Sequence, residues 1–225
     1  MQIACVLFPS FTQLDVAGPY EVFHRLPNAT VHLVAATPDP VASEAGLAIL
    51  PTITFTELPI CDVLFVPGGP GVNEAMLDPE VVGFIQRHGE HARWVTSACT
   101  GALLLGAAGL LAGFEAATHW ASMEFLQAFG AWPKQERVVI SGNRITGGGV
   151  TAGIDIALSI AEQTHGRRVA EMIQLAIEYD PKPPFDAGSP DKASPEVREA
   201  VLLGLSQMKE QRRRAVEEAA RKLSS

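Results

Sequence analysis

The sequence has few cysteines, few aromatic residues and no long apolar run. Only three of its 225 residues are cysteines, and 7% are aromatic. An odd number of cysteines without metal-ligand spacing argues against a disulfide framework and indicates a reducing compartment such as the cytoplasm. No apolar run approaches the roughly 20 residues that span a bilayer, and the N-terminus lacks the basic segment of a signal peptide. A membrane association is therefore not expected.

Basic residues are also scarce, with 17 Lys and Arg against 25 Asp and Glu and a formal net charge of −8. This charge repels phosphate backbones, so nucleic acid is not an expected partner. The one basic cluster, KEQRRRA at 209–215, is followed by VEEAARK, in which acidic and basic residues alternate. That alternation is typical of a solvated helix face.

Hydrophobic residues make up 47% of the chain, enough for a sizeable core. Short β-rich apolar runs alternate with helical patterns, which predicts βαβ units, a parallel sheet and an α/β fold. Strands are expected at 2–8, 30–36, 62–67, 93–98, 137–140 and 144–146, with a hairpin across 41–55. Helices are expected at 14–26, 72–91, 101–112, 151–164 and 167–179.

The C-terminal part of the chain has a different composition. Residues 180–195 contain five prolines and predict an irregular connection. Apolar residues then recur with helical spacing at Val197, Val201, Leu205 and Met208. We therefore expect an α/β domain over residues 1–190 and, within 191–225, an amphipathic helix that packs on this domain or on a second subunit.

Cys99 is the strongest candidate for a reactive residue. In VTSACTG it lies between an apolar strand and a buried, small-residue helix. This arrangement resembles a nucleophile elbow, in which a strained turn exposes the reactive side chain above the sheet. The helix start is expected to lower the thiol pKa and favour the thiolate. Cys5 and Cys61 adjoin strands without a following helix start, and we expect them in the core.

Two further segments are expected at the same edge of the sheet. The Gly68–Gly69 pair in VPGGPG follows a parallel strand, and its backbone N–H groups are candidates for stabilising an anion. Asp15 follows the first strand. It is either a helix-start residue that complements the dipole or a carboxylic acid beside the thiol, with a pKa raised by burial.

His119, in ATHWASMEF near a predicted strand end, also has two interpretations: the base of a Cys/His pair or a structural hydrogen-bonding residue. The glycine cluster ITGGGVTAGIDIAL at 145–158 lacks the spacing and the lysine of a P-loop. Close backbone packing near the active edge explains it better than phosphate binding.

Several segments together resemble the ThiJ/PfpI-like superfamily, which is related to the class I glutamine amidotransferase domain. They are LFPSFTQLDVAGPYEVF, DVLFVPGGPG, VTSACTGALLLGAAGLLAG, AATHW and TGGGVTAGID, in that order. Asp15, Cys99 followed by Thr100, and the late EYDPKPPFDAGSPD are similar to the isocyanide hydratase branch of that superfamily.

This resemblance implies a flavodoxin-like three-layer α/β/α sandwich, usually a homodimer, that hydrates isocyanides to N-formamides without a cofactor or metal. It implies Cys99 as nucleophile and Asp15 as acid and base, with Thr100 flanking the site and the backbone N–H groups of Gly69 and Val150 lining it. Many superfamily members have glutamate in place of Asp15, and the peptidase-like members have histidine in place of Thr100. Peptidase activity is therefore not expected.

Two alternatives stay open at this stage. A glyoxalase-like enzyme, or another carbonyl-adduct hydrolase, could use the same cysteine and acid. A ligand or redox sensor, similar to the sensing domain of transcription regulators, would use the same scaffold. Only 35 residues follow Pro190, too few for the DNA-binding half of such a regulator.

Overall fold

The computed structural model describes residues 1–224, so that Ser225, the last residue of the predicted C-terminal segment, lies outside it. Eleven strands, seven α-helices and one 3₁₀ helix, Trp120–Phe129, are present in these residues. The strands are β1 Gln2–Val6, β2 Thr30–Ala35, β3 Val41–Ala42, β4 Ala48–Ile49, β5 Ile53–Thr54, β6 Val63–Val66, β7 Trp94–Ser97, β8 Glu115–Ala116, β9 Trp132–Pro133, β10 Val138–Ser141 and β11 Arg144–Gly147. The helices are α1 Gln13–Phe23, α2 Val72–Ala75, α3 Pro79–His91, α4 Gly101–Ala107, α5 Ala152–His165, α6 Arg167–Ala176 and α7 Pro195–Leu223.

The central sheet has seven strands in the order β10-β11-β7-β6-β1-β2-β5. All neighbouring strands in it are parallel except the edge pair β10 and β11. Helices α1, α5 and α6 pack together on one face, and α3, α4, α7 and the 3₁₀ helix on the other. The prediction of a three-layer α/β/α fold with a mainly parallel sheet is confirmed.

The central strands are apolar along their whole length because both of their faces are covered. Ile3 and Cys5 of β1 point into the layer of α1 and α5, whereas Ala4 and Val6 point into the layer of α4. All four residues are completely buried, and Cys61, in the core on the α4 side of the sheet, is 1% exposed. The expectation that Cys5 and Cys61 are core residues is confirmed.

Three local expectations were wrong. The predicted hairpin ends earlier, since β3 pairs with β4 while β5 joins the central sheet parallel to β2. The helix expected at 101–112 ends at Ala107, and Gly109 follows with a φ of +75°. His119 does not end a strand; it caps the 3₁₀ helix, which was not predicted.

Helix α7 follows the irregular connection and contacts the 3₁₀ helix, α2 and α4 of the same chain. Its buried residues are Arg212, Ala215, Val216 and Ala219. Val197 and Val201, which were expected to dock, are 48% and 44% exposed. The second half of α7 therefore anchors this helix on the domain. Among the described residues, no helix is long and apolar enough to cross a membrane.

Candidate active site

Cys99 stands at the turn between β7 and α4 with a φ of +52°, a left-handed backbone that is uncommon for a side chain of this kind. Two hydrogen bonds hold the turn: the Cys99 N–H donates to the Gly148 carbonyl at 2.7 Å, and the Thr118 hydroxyl donates to the Cys99 carbonyl at 2.8 Å. A Cβ at Gly101 would lie 2.2 Å from the Val66 carbonyl oxygen, so the first turn of α4 needs glycine there. The backbone thus has the geometry of a nucleophile elbow.

Asp15 lies in the first turn of α1 and is completely buried. Its Oδ2 accepts a hydrogen bond from the Gly68 N–H at 2.8 Å. Its Oδ1 has no hydrogen-bond partner within residues 1–224, although the Cys99 thiol is close enough to interact with the carboxyl. This carboxyl does not cap α1, because no side-chain hydrogen bond caps that helix. The structure therefore favours the acid beside the thiol over the helix-start residue.

Burial controls the protonation of this pair. Burial, and to a smaller extent the Glu44 charge, raises the pKa of Asp15 to about 7 against the opposing effects of the Gly68 hydrogen bond and the interaction with Cys99. Burial and the Asp15 charge also raise the pKa of the Cys99 thiol, against the opposing effects of Thr100 and Arg212.

The expectation that the helix start gives Cys99 a lowered pKa was therefore wrong, because desolvation outweighs it. Cys99 is also only 6% exposed. Burial therefore disfavours the charged form of each group, so the thiol keeps its proton and the Asp15 carboxyl is partly protonated near neutral pH.

A cavity of about 220 Å³ opens beside Cys99. Residues from Thr12 to Arg212, along almost the whole chain, form its wall, whereas Asp15 and Gly68 lie behind that wall rather than in it. The lining residues are Thr12, Glu44, Gly69, Pro70, Cys99, Thr100, His119, Ala121, Ser122, Val150, Leu205, Met208, Lys209 and Arg212. Among the residues that the structure describes, no group of His, Cys, Asp and Glu has the arrangement of a metal site.

The predicted glycine loop forms hydrogen bonds with Asp15 and with Thr100, the residue after Cys99. The Gly68 N–H is engaged by Asp15, and the Gly69 N–H donates to the Thr100 hydroxyl at 3.0 Å. A Cβ at Gly68 would lie 2.5 Å from the Thr100 nitrogen. These two N–H groups thus orient the carboxyl and the residue after the cysteine, and an incoming anion could use them only by displacing those partners.

His119 and Val150 both line the cavity. His119 Nδ1 accepts a hydrogen bond from the Ala121 N–H at 3.3 Å, and burial together with Arg212 lowers the pKa of its imidazole. Within residues 1–224 no hydrogen bond joins this ring to Cys99. This geometry favours the structural interpretation of His119.

Arg212 is the residue that the sequence analysis missed. It belongs to the basic cluster interpreted as a solvated helix face, yet it is only 6% exposed and lines the cavity beside Cys99. That interpretation was wrong for this position. The spacing of Val201, Leu205 and Met208 continues to Arg212 four residues later, so the apolar stripe itself contained the signal.

Comparisons with known proteins agree with this architecture. The sequence pattern described as the DJ-1/PfpI family matches residues 1–163. The chain is 47% identical over 224 residues to a protein named isonitrile hydratase from Pseudomonas putida, covering 100% of this chain and 98% of that protein.

Two further comparisons indicate how far the likeness extends. A ThiJ/PfpI family protein from Pseudomonas syringae has a crystal structure similar to this one, with a TM-score of 0.93, 43% identity and coverage of 97% of this chain and 90% of that chain. The HTH-type transcriptional regulator GbdR of Pseudomonas aeruginosa is 28% identical over 186 residues, which is 79% of this chain but 50% of the regulator. The likeness to the regulator is therefore confined to about half of that protein.

Proposed function

This chain belongs to the DJ-1/PfpI family, and from that premise we propose that it hydrates isocyanides, R–N≡C, to N-substituted formamides, with Cys99 as nucleophile and Asp15 as acid and base. The observation that carries the proposal is the 47% identity to an isonitrile hydratase, which extends over the whole chain and therefore includes α7. The Cys99 thiol at the cavity, and the buried Asp15 carboxyl that interacts with this thiol, support the chemistry.

The first half of the reaction forms a thioimidate. Asp15 as carboxylate takes the thiol proton, and the Cys99 sulfur attacks the terminal carbon of the isocyanide. As the S–C bond forms, the carbon accepts that proton from the Asp15 carboxyl, giving Cys99–S–CH=N–R. An acid with a pKa of about 7 can hold and release this proton near neutral pH.

The second half consumes one water molecule. Asp15, again a carboxylate, removes a proton from water while the oxygen attacks the thioimidate carbon. The nitrogen receives that proton from Asp15, and the adduct collapses to R–NH–CHO with cleavage of the C–S bond. The remaining proton of water returns to the sulfur, so the free thiol is restored and no electron transfer occurs.

The other cavity residues have supporting roles in this proposal. Thr100 and Gly69 fix the wall beside the sulfur, and Gly68 orients the carboxyl. Val150 and His119 bound the substrate side of the cavity. We further propose, from the sequence, that the protein acts as a homodimer in the cytoplasm and without a cofactor.

The alternatives are not favoured. The hydratase matches at 47% over 98% of its length, whereas the regulator matches at 28% over half of its length.

The test is turnover of a panel of small alkyl and aryl isocyanides by the purified protein. Loss of the isocyanide infrared band should match formation of the formamide one to one. Methylglyoxal serves as the competing substrate, and Cys99→Ala protein as the background control. Consumption of methylglyoxal without any isocyanide turnover above this background would reject the proposal.

A further inference from the structure

The Arg212 guanidinium is buried among neutral partners. Its Nε donates to Asn73 Oδ1 at 3.0 Å, Nη1 to Ser122 Oγ at 3.0 Å, and Nη2 to the Gly69 carbonyl at 3.3 Å. No carboxylate among residues 1–224 forms an ion pair with it. Burying a cation without an anion costs free energy, so this arrangement needs a compensating role.

The Gly69 carbonyl connects this arginine to the reactive pair. It accepts hydrogen bonds from Arg212 and, at 3.3 Å, from the Thr100 hydroxyl. The preceding residue, Gly68, donates its N–H to Asp15. One guanidinium therefore holds the short loop that orients the carboxyl on one side and the residue after Cys99 on the other.

The charges around the sulfur are few. Asp15 on α1 disfavours a thiolate on Cys99, and Arg212 on α7 favours it. The Glu44 charge raises the pKa of Asp15. His119 lines the cavity, and burial and Arg212 lower the pKa of its imidazole, which favours the neutral ring.

Lys209 also lines the cavity, but its ammonium forms an ion pair with Glu124 at 2.6 Å. Arg212 is thus the buried positive group that can balance a negative charge developing at the sulfur.

We propose that Arg212 is a positioning residue for the reactive pair: it holds the Gly68–Gly69 loop and supplies the positive charge that balances the Cys99 thiolate. This proposal rests on the proposed hydration. It assigns a role in the site to α7, which lies beyond the residues 1–163 that match the family. Lysine cannot replace arginine fully, because a single ammonium lacks the planar fork that reaches Asn73, Ser122 and Gly69 together.

The experiment compares Arg212→Met, Arg212→Lys and a matched control, Arg214→Met, whose parent side chain is 77% exposed on the same helix. Each variant is measured for kcat and KM with one small isocyanide. Alkylation of Cys99 by iodoacetamide is followed across pH by peptide mass spectrometry, and thermal unfolding is recorded.

Arg212→Met should lower kcat about 10- to 100-fold with little change in KM. It should also move the alkylation profile of Cys99 about one unit toward higher pH. Arg212→Lys should keep the parental alkylation profile but lose about tenfold in kcat. Arg214→Met should behave as the parent.

A merely structural role would lower the unfolding temperature and leave kcat and the alkylation profile of Cys99 unchanged. A folded Arg212→Met protein with parental kcat and alkylation profile overturns the proposal. If that variant does not fold, a parental kcat in Arg212→Lys overturns it. If the parent itself hydrates no isocyanide, the proposed function fails. The role of Arg212 is then decided by alkylation of Cys99 alone: an unchanged profile in Arg212→Met overturns it. If Arg212→Met does not fold, a shifted profile in Arg212→Lys overturns it.

Discussion

The backbone N–H of Gly68 donates to Oδ2 of Asp15 at 2.8 Å, joining the loop after β6 to the first turn of α1 across 53 residues of sequence. The β1 and β6 strands are parallel neighbours in the sheet. The chain continues from β1 to β2 on one side of this pair and from β6 to β7 on the other. Ligands of open α/β folds bind at such a point. Because Oδ2 takes this hydrogen bond, Oδ1 has no hydrogen-bond partner within residues 1–224, on a carboxyl that interacts with the Cys99 thiol.

Cys99 is expected to be the only cysteine that activity needs. Cys99→Ala should abolish isocyanide turnover and keep the fold. Cys5→Ala and Cys61→Ala remove buried sulfur atoms, so each should lower stability by roughly 1–2 kcal/mol and leave kcat nearly unchanged. Steady-state kinetics with thermal unfolding distinguish these effects. An active Cys99→Ala protein would contradict the elbow assignment.

Asp15→Asn keeps the shape of the side chain and can still accept the Gly68 hydrogen bond, but it cannot transfer a proton. Turnover should fall by about 10²- to 10⁴-fold, the usual scale for a general acid and base. Asp15→Glu keeps the acid and lengthens its reach, so its turnover should lie between those of the parent and of Asp15→Asn. A rate within about tenfold of the parent in folded Asp15→Asn would leave Asp15 only a structural role.

The pH dependence follows from the pKa of Asp15, which burial raises to about 7. Below this pH the carboxyl of the free enzyme is protonated and cannot accept the thiol proton, so kcat/KM should decrease as the pH falls. The acidic limb should have a midpoint near pH 7 and disappear in the residual activity of Asp15→Asn. A parental profile that stays flat from about pH 5.5 to 8 would contradict this assignment.

Gly68→Ala tests the close approach of the loop to the elbow. The added Cβ would lie 2.5 Å from the Thr100 nitrogen and 2.9 Å from Cys99 Cβ, so one backbone segment must move. A shift of this kind should cost about 100-fold in kcat.

The matched control is Gly204→Ala on α7, where no atom lies within 4 Å of the added Cβ. It should keep full activity and gain roughly 0.5–1 kcal/mol of stability, since alanine suits a helix better than glycine. Parental kcat in folded Gly68→Ala would show that the site tolerates the displacement.

The main strands and helices were predictable because both faces of the sheet are buried, which makes the central strands continuous apolar runs. The position of Cys99 at a strand-to-helix turn was predictable from the strand and the small-residue helix on either side of it. Asp15 had two interpretations, since its neighbours along the chain do not include Gly68 or Cys99. The contacts that distinguish them exist only after the strands have been ordered in the sheet.

The remaining errors have physical causes as well. Strand β5 has two residues, too few for a pattern, and its pairing with β2 is a tertiary contact. The pKa of Cys99 depends on its burial, which a strand-to-helix motif does not report. Arg212 was hidden because a basic residue on a helix is normally solvated, and only the fold shows which turn of α7 faces the domain.

Different parts of helix α7 contact the domain and the cavity. Ala215, Val216 and Ala219 anchor it, and Leu205 and Met208, about two to four turns earlier, form part of the cavity wall. Under the proposed function, substitutions at Leu205 and Met208 should change which isocyanides fit the cavity and leave the anchor, Cys99 and Asp15 unchanged.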